Sequence, residues 1–325
     1  MPIPLILGGI AAIAGLTGLK KGVDGIRDSK EANEIQGEAQ DILDDAKYKI
    51  ERAKERTSKS IQELGKEKLQ GAGIELKDFV ENFSKIKNVK LSESNIIDET
   101  NYLDIASDGN IKSMRVIVLG AVDVLGSGIA GVGAGALLGW GTYGGVMALG
   151  SASTGAAIAG LSGIAATNAT LAWLGGGAIA AGGGGIALGT MILGGIVAGP
   201  ALLIAGGIFS SKAKEKLNNA YSNLARAREI ESDIENAATE LEYIKSTSVQ
   251  IKIFLSRIRR YSNLANDEMI KIVMRKTDWN LFSQEEKNTI AAAVKQAQLL
   301  KKIIDIPLLT ENGILTTEAK EISLV

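Results

Sequence analysis

Gly126-Ser127-Gly128-Ile129-Ala130-Gly131 matches the G-x-G-x-x-G pattern with which a strand-to-helix turn cradles a pyrophosphate. Dinucleotide binding also needs an acidic residue roughly 20 positions further on for the ribose. No Asp or Glu follows Gly131 until Glu215, and no G-K-[ST] closes any glycine loop, so neither nucleotide chemistry is complete. Neighbouring carboxylates occur at Asp44-Asp45, Asp98-Glu99 and Glu285-Glu286. They lie among other charged residues, where a solvated face is the ordinary outcome. The chain has no Cys and no His, which removes thiolate nucleophiles, imidazole bases, disulfides and the commonest zinc ligands. No catalytic, cofactor or metal constellation emerges, and the expectation is a protein that is not an enzyme and takes no small-molecule substrate.

The chemistry that remains is that of glycine in an apolar setting. Residues 116–209 hold 27 of the 39 glycines and one charged side chain, Asp123; residues 124–209 have none. Glycine inside a helix costs roughly 1 kcal/mol relative to alanine in water, so such a stretch is poorly suited to an ordinary water-soluble helical core. In lipid an unpaired backbone group is costly and a helix satisfies them all, while small residues let helix backbones approach closely. Gly131, Gly135 and Gly139 make a continuous small-xxx-small ridge, and Gly141/Gly145, Gly185/Gly189 and Gly195/Gly199 repeat the interval. The reading is a membrane-inserting helical block whose packing residues are Gly131, Gly135, Gly139, Gly185, Gly189, Gly195 and Gly199. Helical segments are expected over 116–140, 146–174 and 186–209, each reaching the ~20 residues that a bilayer core requires. Trp140 and Trp173 are candidates for the lipid interface, Lys212 and Lys214 for a cationic collar, and Asp123 for an interface or a wet lumen.

The flanks must carry and shield this block. Four regions follow: an apolar N-terminal helix over 1–21, charged amphipathic helices over 22–115, the block over 116–209, and C-terminal amphipathic helices with a tail over 210–325. The run 4–19 is apolar without a basic stretch before it, and it is slightly short for a span; membrane helix, buried helix and signal-like segment all stay open. From Ser29 to about Lys90, Ile35, Ala39, Ile42, Leu43, Ala46, Ile50, Ala53, Ile61, Leu64 and Leu69 mostly recur three, four or seven apart, one face of a long helix. Gly65, Gly71 and Gly73 predict a break near its end. Beyond Leu217, Ala220, Leu224, Ala227, Ile230, Ile234, Ala238, Leu241 and Ile244 mark a second long helix, set to pack antiparallel against the first. A third is expected over 249–276 with Ile251, Phe254, Leu255, Ile258, Leu264 and Met269 inward. Ser283 and Glu286 form a capping box for a last helix that Pro307 ends.

Net charge is −1 and aromatics are 4%, so a nucleic-acid partner has neither electrostatic nor stacking support. The expected partners are a lipid bilayer and further copies of the chain. The fold class is all-α: long amphipathic helices forming a bundle around a central glycine-rich membrane block.

The run from Asn168 through Trp173 and Gly182–Gly185 to Gly199-Pro200 resembles a glycine-rich segment of uncharacterised bacterial membrane-associated proteins. Long helices around a central apolar block are similar in layout to the α-helical pore-forming toxins of the cytolysin A and tripartite enterotoxin type. That resemblance implies a head folded against a helical body that swings out, inserts and assembles into a ring. It implies a soluble form before insertion, and a bacterial inner membrane or a target-cell membrane as the destination. The alternatives are a constitutive membrane-anchored scaffold that recruits partners without a pore, and a soluble helical protein whose glycines serve tight internal packing.

Overall fold

The computed structural model describes residues 27–95, 108–126, 132, 134–145, 217–310 and 314–323. These are mostly helical, and among them there is no strand, only isolated bridges at Lys87–Asp278 and Leu309–Leu315. The N-terminal apolar run, the expected helices over 146–174 and 186–209, and Gly131, Trp173, Gly185, Gly189, Gly195, Gly199, Lys212 and Lys214 lie outside the described residues. The chain divides into two compact units, residues 1–45 with 209–231, and residues 46–208 with 232–325.

Helix α1, Arg27–Gln70, contributes to both units and runs 44 residues without proline. The predicted break at its end is absent. Gly71–Leu76 instead form a π-helical turn that passes straight into α2, Lys77–Phe83. A π-turn carries one residue more than the α-helix and swings the following side chains round the axis. Glycine makes room on two sides of it. A Cβ on Gly71 would stand 3.2 Å from Ile304 Cδ1, and one on Gly73 would stand 2.5 Å from Leu125 Cδ1.

Helix α3 spans Asp108–Leu125 and α4 spans Ala134–Tyr143. The single segment expected over 116–140 is therefore corrected to two helices. The first begins eight residues earlier than expected, and it stops before Gly126, whose N–H reaches back to the Asp123 carbonyl at 3.4 Å. α3 still carries Lys112, Arg115 and Asp123, and α4 has only 10 residues. Among the described residues no helix is long and apolar enough to cross a membrane.

Helix α5, Leu217–Val273, is 57 residues long and replaces the two helices expected over 217–276. It holds neither glycine nor proline, so nothing in its backbone forces a stop. Its buried residues Ile234, Leu241, Ile244, Ser248, Ile251, Leu255 and Ile258 follow a three-four alternation that keeps one stripe inward. Leu264, expected inward, is exposed instead.

In the larger unit α5 runs parallel to α1, not antiparallel. Lys49 pairs with Glu235 at 3.0 Å, Thr57 Oγ1 donates to the Leu241 carbonyl at 2.9 Å, and Ser60 meets Ser248 at 2.5 Å. Lys252 pairs with Glu63 at 2.6 Å and Ser256 donates to Glu67 at 2.8 Å, so both chains advance together. The buried hydroxyls of Thr57, Ser60 and Ser248 satisfy one another or a carbonyl, which offsets the cost of burying them, whereas the buried Thr247 hydroxyl has no partner among the described residues. Helix α6, Gln284–Asp305, opens with the predicted capping box, both halves of which are formed. A six-residue helix α7, Thr317–Ile322, follows.

The core of the larger unit gathers α1, the π-turn, α2, α3, α5 and α6 around Leu64, Leu76, Phe79, Met114, Leu255, Ile290 and Leu300. In the smaller unit Ala39, Leu43, Leu224 and Ala227 form a separate cluster, with Arg228 paired to Glu38 at 3.0 Å on its rim.

Candidate functional site

The sequence places the unusual chemistry in the glycine-rich stretch, and α4 is the part of that stretch whose surroundings are described in fullest detail. It seats on α1 backbone to backbone. A Cβ on Gly65 would lie 1.8 Å from the Leu137 carbonyl oxygen, and a Cβ on Gly141 would lie 2.1 Å from the Ile61 carbonyl oxygen. Gly65 thus faces Leu137 and Gly141, one turn apart on α4, and Gly141 faces Ile61; the missing side chain on each glycine is what lets the two backbones approach closely. Sequence reasoning read Gly65 as a helix weakener and Gly141 as one of a pair with Gly145. In the fold Gly65 and Gly141 are each other's partners.

The C-terminal end of α4 is clasped by the chain that follows α6. The Thr142 carbonyl, one of those a helix leaves unpaired at its end, accepts the Leu308 N–H at 2.7 Å. Gly144 has φ +60°, and a Cβ there would lie 1.9 Å from the Ile304 carbonyl oxygen. A side chain at Gly145 would strike Asp305 Oδ1 at 2.2 Å. Four glycines therefore carry close approaches here, at Gly65, Gly141, Gly144 and Gly145.

Lys68 lies one turn beyond Gly65 and is 1% exposed. Its Nζ donates to the Ile306 carbonyl at 2.6 Å, at the C-terminus of α6. Burial pushes the Lys68 ammonium down to about 7, while the charge of Asp305 opposes the shift. Asp305 itself is paired to Lys301 at 2.7 Å. A buried amine that titrates near neutrality thus sits beside the seat of α4. Nothing in the sequence distinguishes Lys68 from the solvated lysines on either side of it; only the register with Leu64 and Leu69 hints at an inward position.

A second polar cluster braces the π-turn. Arg259 of α5 donates Nε and Nη2 to the two carboxylate oxygens of Glu75, each at 3.0 Å, and Nη1 to Glu67 at 2.8 Å and Gln70 at 3.0 Å. Asn266 Nδ2 donates to the Glu75 backbone carbonyl at 2.8 Å. Burial works against the Arg259 charge, but the hydrogen bonds and charge of Glu75, with those of Glu67, outweigh it and hold the guanidinium above its ordinary value. Two-pronged pairing suits arginine's planar fork and fixes the turn relative to α5.

Of the residues singled out from sequence, Trp140 is 1% exposed and belongs to the main core. Gly135 and Gly139 lie in α4, Gly139 buried. Asp123 is exposed near the end of α3. The structure does not bring Asp123 and Trp140 into a common site. No group of metal-binding side chains occurs among the described residues. The chain matches no protein-family model, no curated protein and no solved structure.

Proposed function

We propose that this chain is a membrane-inserting helical protein: a helical body carries the glycine-rich stretch, releases it to a bilayer and assembles through small-residue faces to permeabilise the membrane. The observation that carries this reading is the run 124–209, 86 residues without one Asp, Glu, Lys or Arg. A charged residue at the bilayer centre costs about 2.5–3.5 kcal/mol on insertion scales, and this stretch avoids every such term. The seat of α4 supports a stored form. Its closest contacts are glycine to backbone, so a small separation of the helices forfeits them together. The α4 face that meets α1 is then available to another small-residue helix.

A second reading draws on Trp140 and Gly141, both buried against the body. On that reading the glycines serve internal packing of a protein that never enters lipid. A constitutive scaffold is the third possibility, one that enters membranes during synthesis and makes no pore.

Dye release from liposomes, run beside flotation with protein purified without detergent, separates the three. Insertion with permeabilisation gives both release and flotation, and Gly135→Ile abolishes release while the helical circular dichroism persists. Flotation without release favours the scaffold. A monodisperse protein that ignores liposomes overturns the membrane reading in favour of internal packing.

A further inference from the structure

On the outer side of α5, Ile253, Arg257, Arg260, Tyr261 and Leu264 are all exposed, the three apolar ones by 54%, 52% and 58% respectively. At about 100° per residue they fall within a sector of roughly 100°, a continuous face about 16 Å long. Arg259, in the same turn, points the other way into Glu75 and Glu67. Arg257 and Arg260 make no ion pair and no side-chain hydrogen bond among the described residues. The nearest acids further along α5 are Asp267 and Glu268, about two turns beyond Arg260, and Glu268 is engaged by Lys271 at 2.6 Å. The face therefore presents two uncompensated guanidinium groups between a tyrosine and two large aliphatic side chains.

That composition suits one environment in particular. Leucine and isoleucine gain from the acyl boundary, tyrosine from headgroup depth, and arginine extends its charged end along an apolar stem to phosphate oxygens. A second copy of the chain fits poorly, because a two-fold contact centred here sets Arg257 and Arg260 against their own counterparts and like charges facing each other oppose association. We infer that this face of α5 is a docking surface for the headgroup layer of an anionic lipid bilayer, on which the helix lies in the membrane plane. The inference rests on the membrane reading above and names the surface that makes first contact, separate from the glycine-rich stretch that inserts.

The test uses full-length protein purified without detergent and floated with vesicles of phosphatidylcholine alone or of phosphatidylcholine mixed with phosphatidylglycerol. The wild type is expected to float with the mixed vesicles, to be stripped by salt, and to bind neutral vesicles weakly. Each arginine near an anionic surface is worth about five-fold in partitioning. Arg257→Gln/Arg260→Gln is thus expected to lose about thirty-fold, and Arg257→Lys/Arg260→Lys to retain most of the binding, with unchanged circular dichroism in both. Equal flotation of the glutamine variant, or equal binding to neutral vesicles, overturns the docking surface while leaving dye release free to support insertion. Loss of flotation in the glutamine variant, with no dye release from the wild type, upholds the surface and removes the insertion reading. A wild type that floats with neither vesicle overturns both. If light scattering without lipid shows a dimer that the glutamine variant dissociates, the face is a protein interface and the inference falls.

Discussion

Adding one methyl group at Gly65 tests the seat of α4 directly. In Gly65→Ala the new Cβ would be 1.8 Å from the Leu137 carbonyl oxygen and 2.7 Å from the Gly141 nitrogen. Ordinary contact begins at 3.4 Å, so the two backbones must part by about 1.6 Å. Neither neighbour is the tip of a flexible side chain, and overpacking of 1–3 kcal/mol is the usual range for cores that can partly adjust. Here the upper end applies, because a gap of even 0.5–1 Å already forfeits a quarter to a half of each van der Waals contact. Helix α4 also holds Trp140, whose large buried surface leaves the core with it. A loss of about 3 kcal/mol corresponds to more than a hundredfold in the local closing equilibrium. Hydrogen exchange read by mass spectrometry should show amides 134–145 losing protection by that factor, while those of α6 hold theirs. Gly37→Ala in α1 is the control: nothing lies within 4 Å of its Cβ, and replacing a helical glycine there should stabilise by about 0.5–1 kcal/mol. Unchanged exchange over 134–145 in Gly65→Ala, with no fall in melting temperature, would refute the close-packed seat.

Three further outcomes follow from the same contacts. Lys68 has a folded pKa of about 7, below its unfolded value of 10.5, so the unfolded chain takes up the proton first as pH falls. Stability should therefore rise between pH 7 and about 9.5 by close to 1.4 kcal/mol per pH unit from this group, and level off below 7; Lys68→Met should flatten that slope in chemical denaturation series. Arg259→Met strands Glu75 and Glu67 beneath α5 and should destabilise by about 3–5 kcal/mol, whereas Arg259→Met/Glu75→Met should recover much of the loss in thermal melts. Ser283→Ala removes the first half of the capping box of α6 and should lower stability by about 1 kcal/mol, with Glu286→Ala producing a similar fall in melting temperature.

The inward face of α1 was legible because Ala39, Leu43, Ala46, Ile50, Ile61 and Leu64 keep helical spacing and are buried, while Ile35, Ile42 and Ala53 of the same expected face are half-buried. The capping box was legible because its chemistry is local to four residues. Direction was not: a three-four alternation reads alike for parallel and antiparallel partners, and only pairs between the helices such as Lys49–Glu235 and Lys252–Glu63 decide it. The π-turn was hidden because glycine favours a break by local propensity, while here packing against α3 and α6 on the two glycine sides keeps the helix continuous. Leu264 misled for a related reason, since hydrophobicity alone does not say which side of a 57-residue helix meets the core.

The parallel course of α1 and α5 has a topological meaning. In the larger unit α4 sits beside Ile61 and Gly65, near the end of α1, whereas α5 enters this unit at Ser232, close to the level of Ala46. Those levels are about 15–19 residues apart along α1, roughly 23–29 Å of helix. The polypeptide leaving Gly145 must travel back over that distance before α5 can begin its course here. The two ends of that connection, at Gly145 and Ser232, therefore meet the larger unit at different heights along α1.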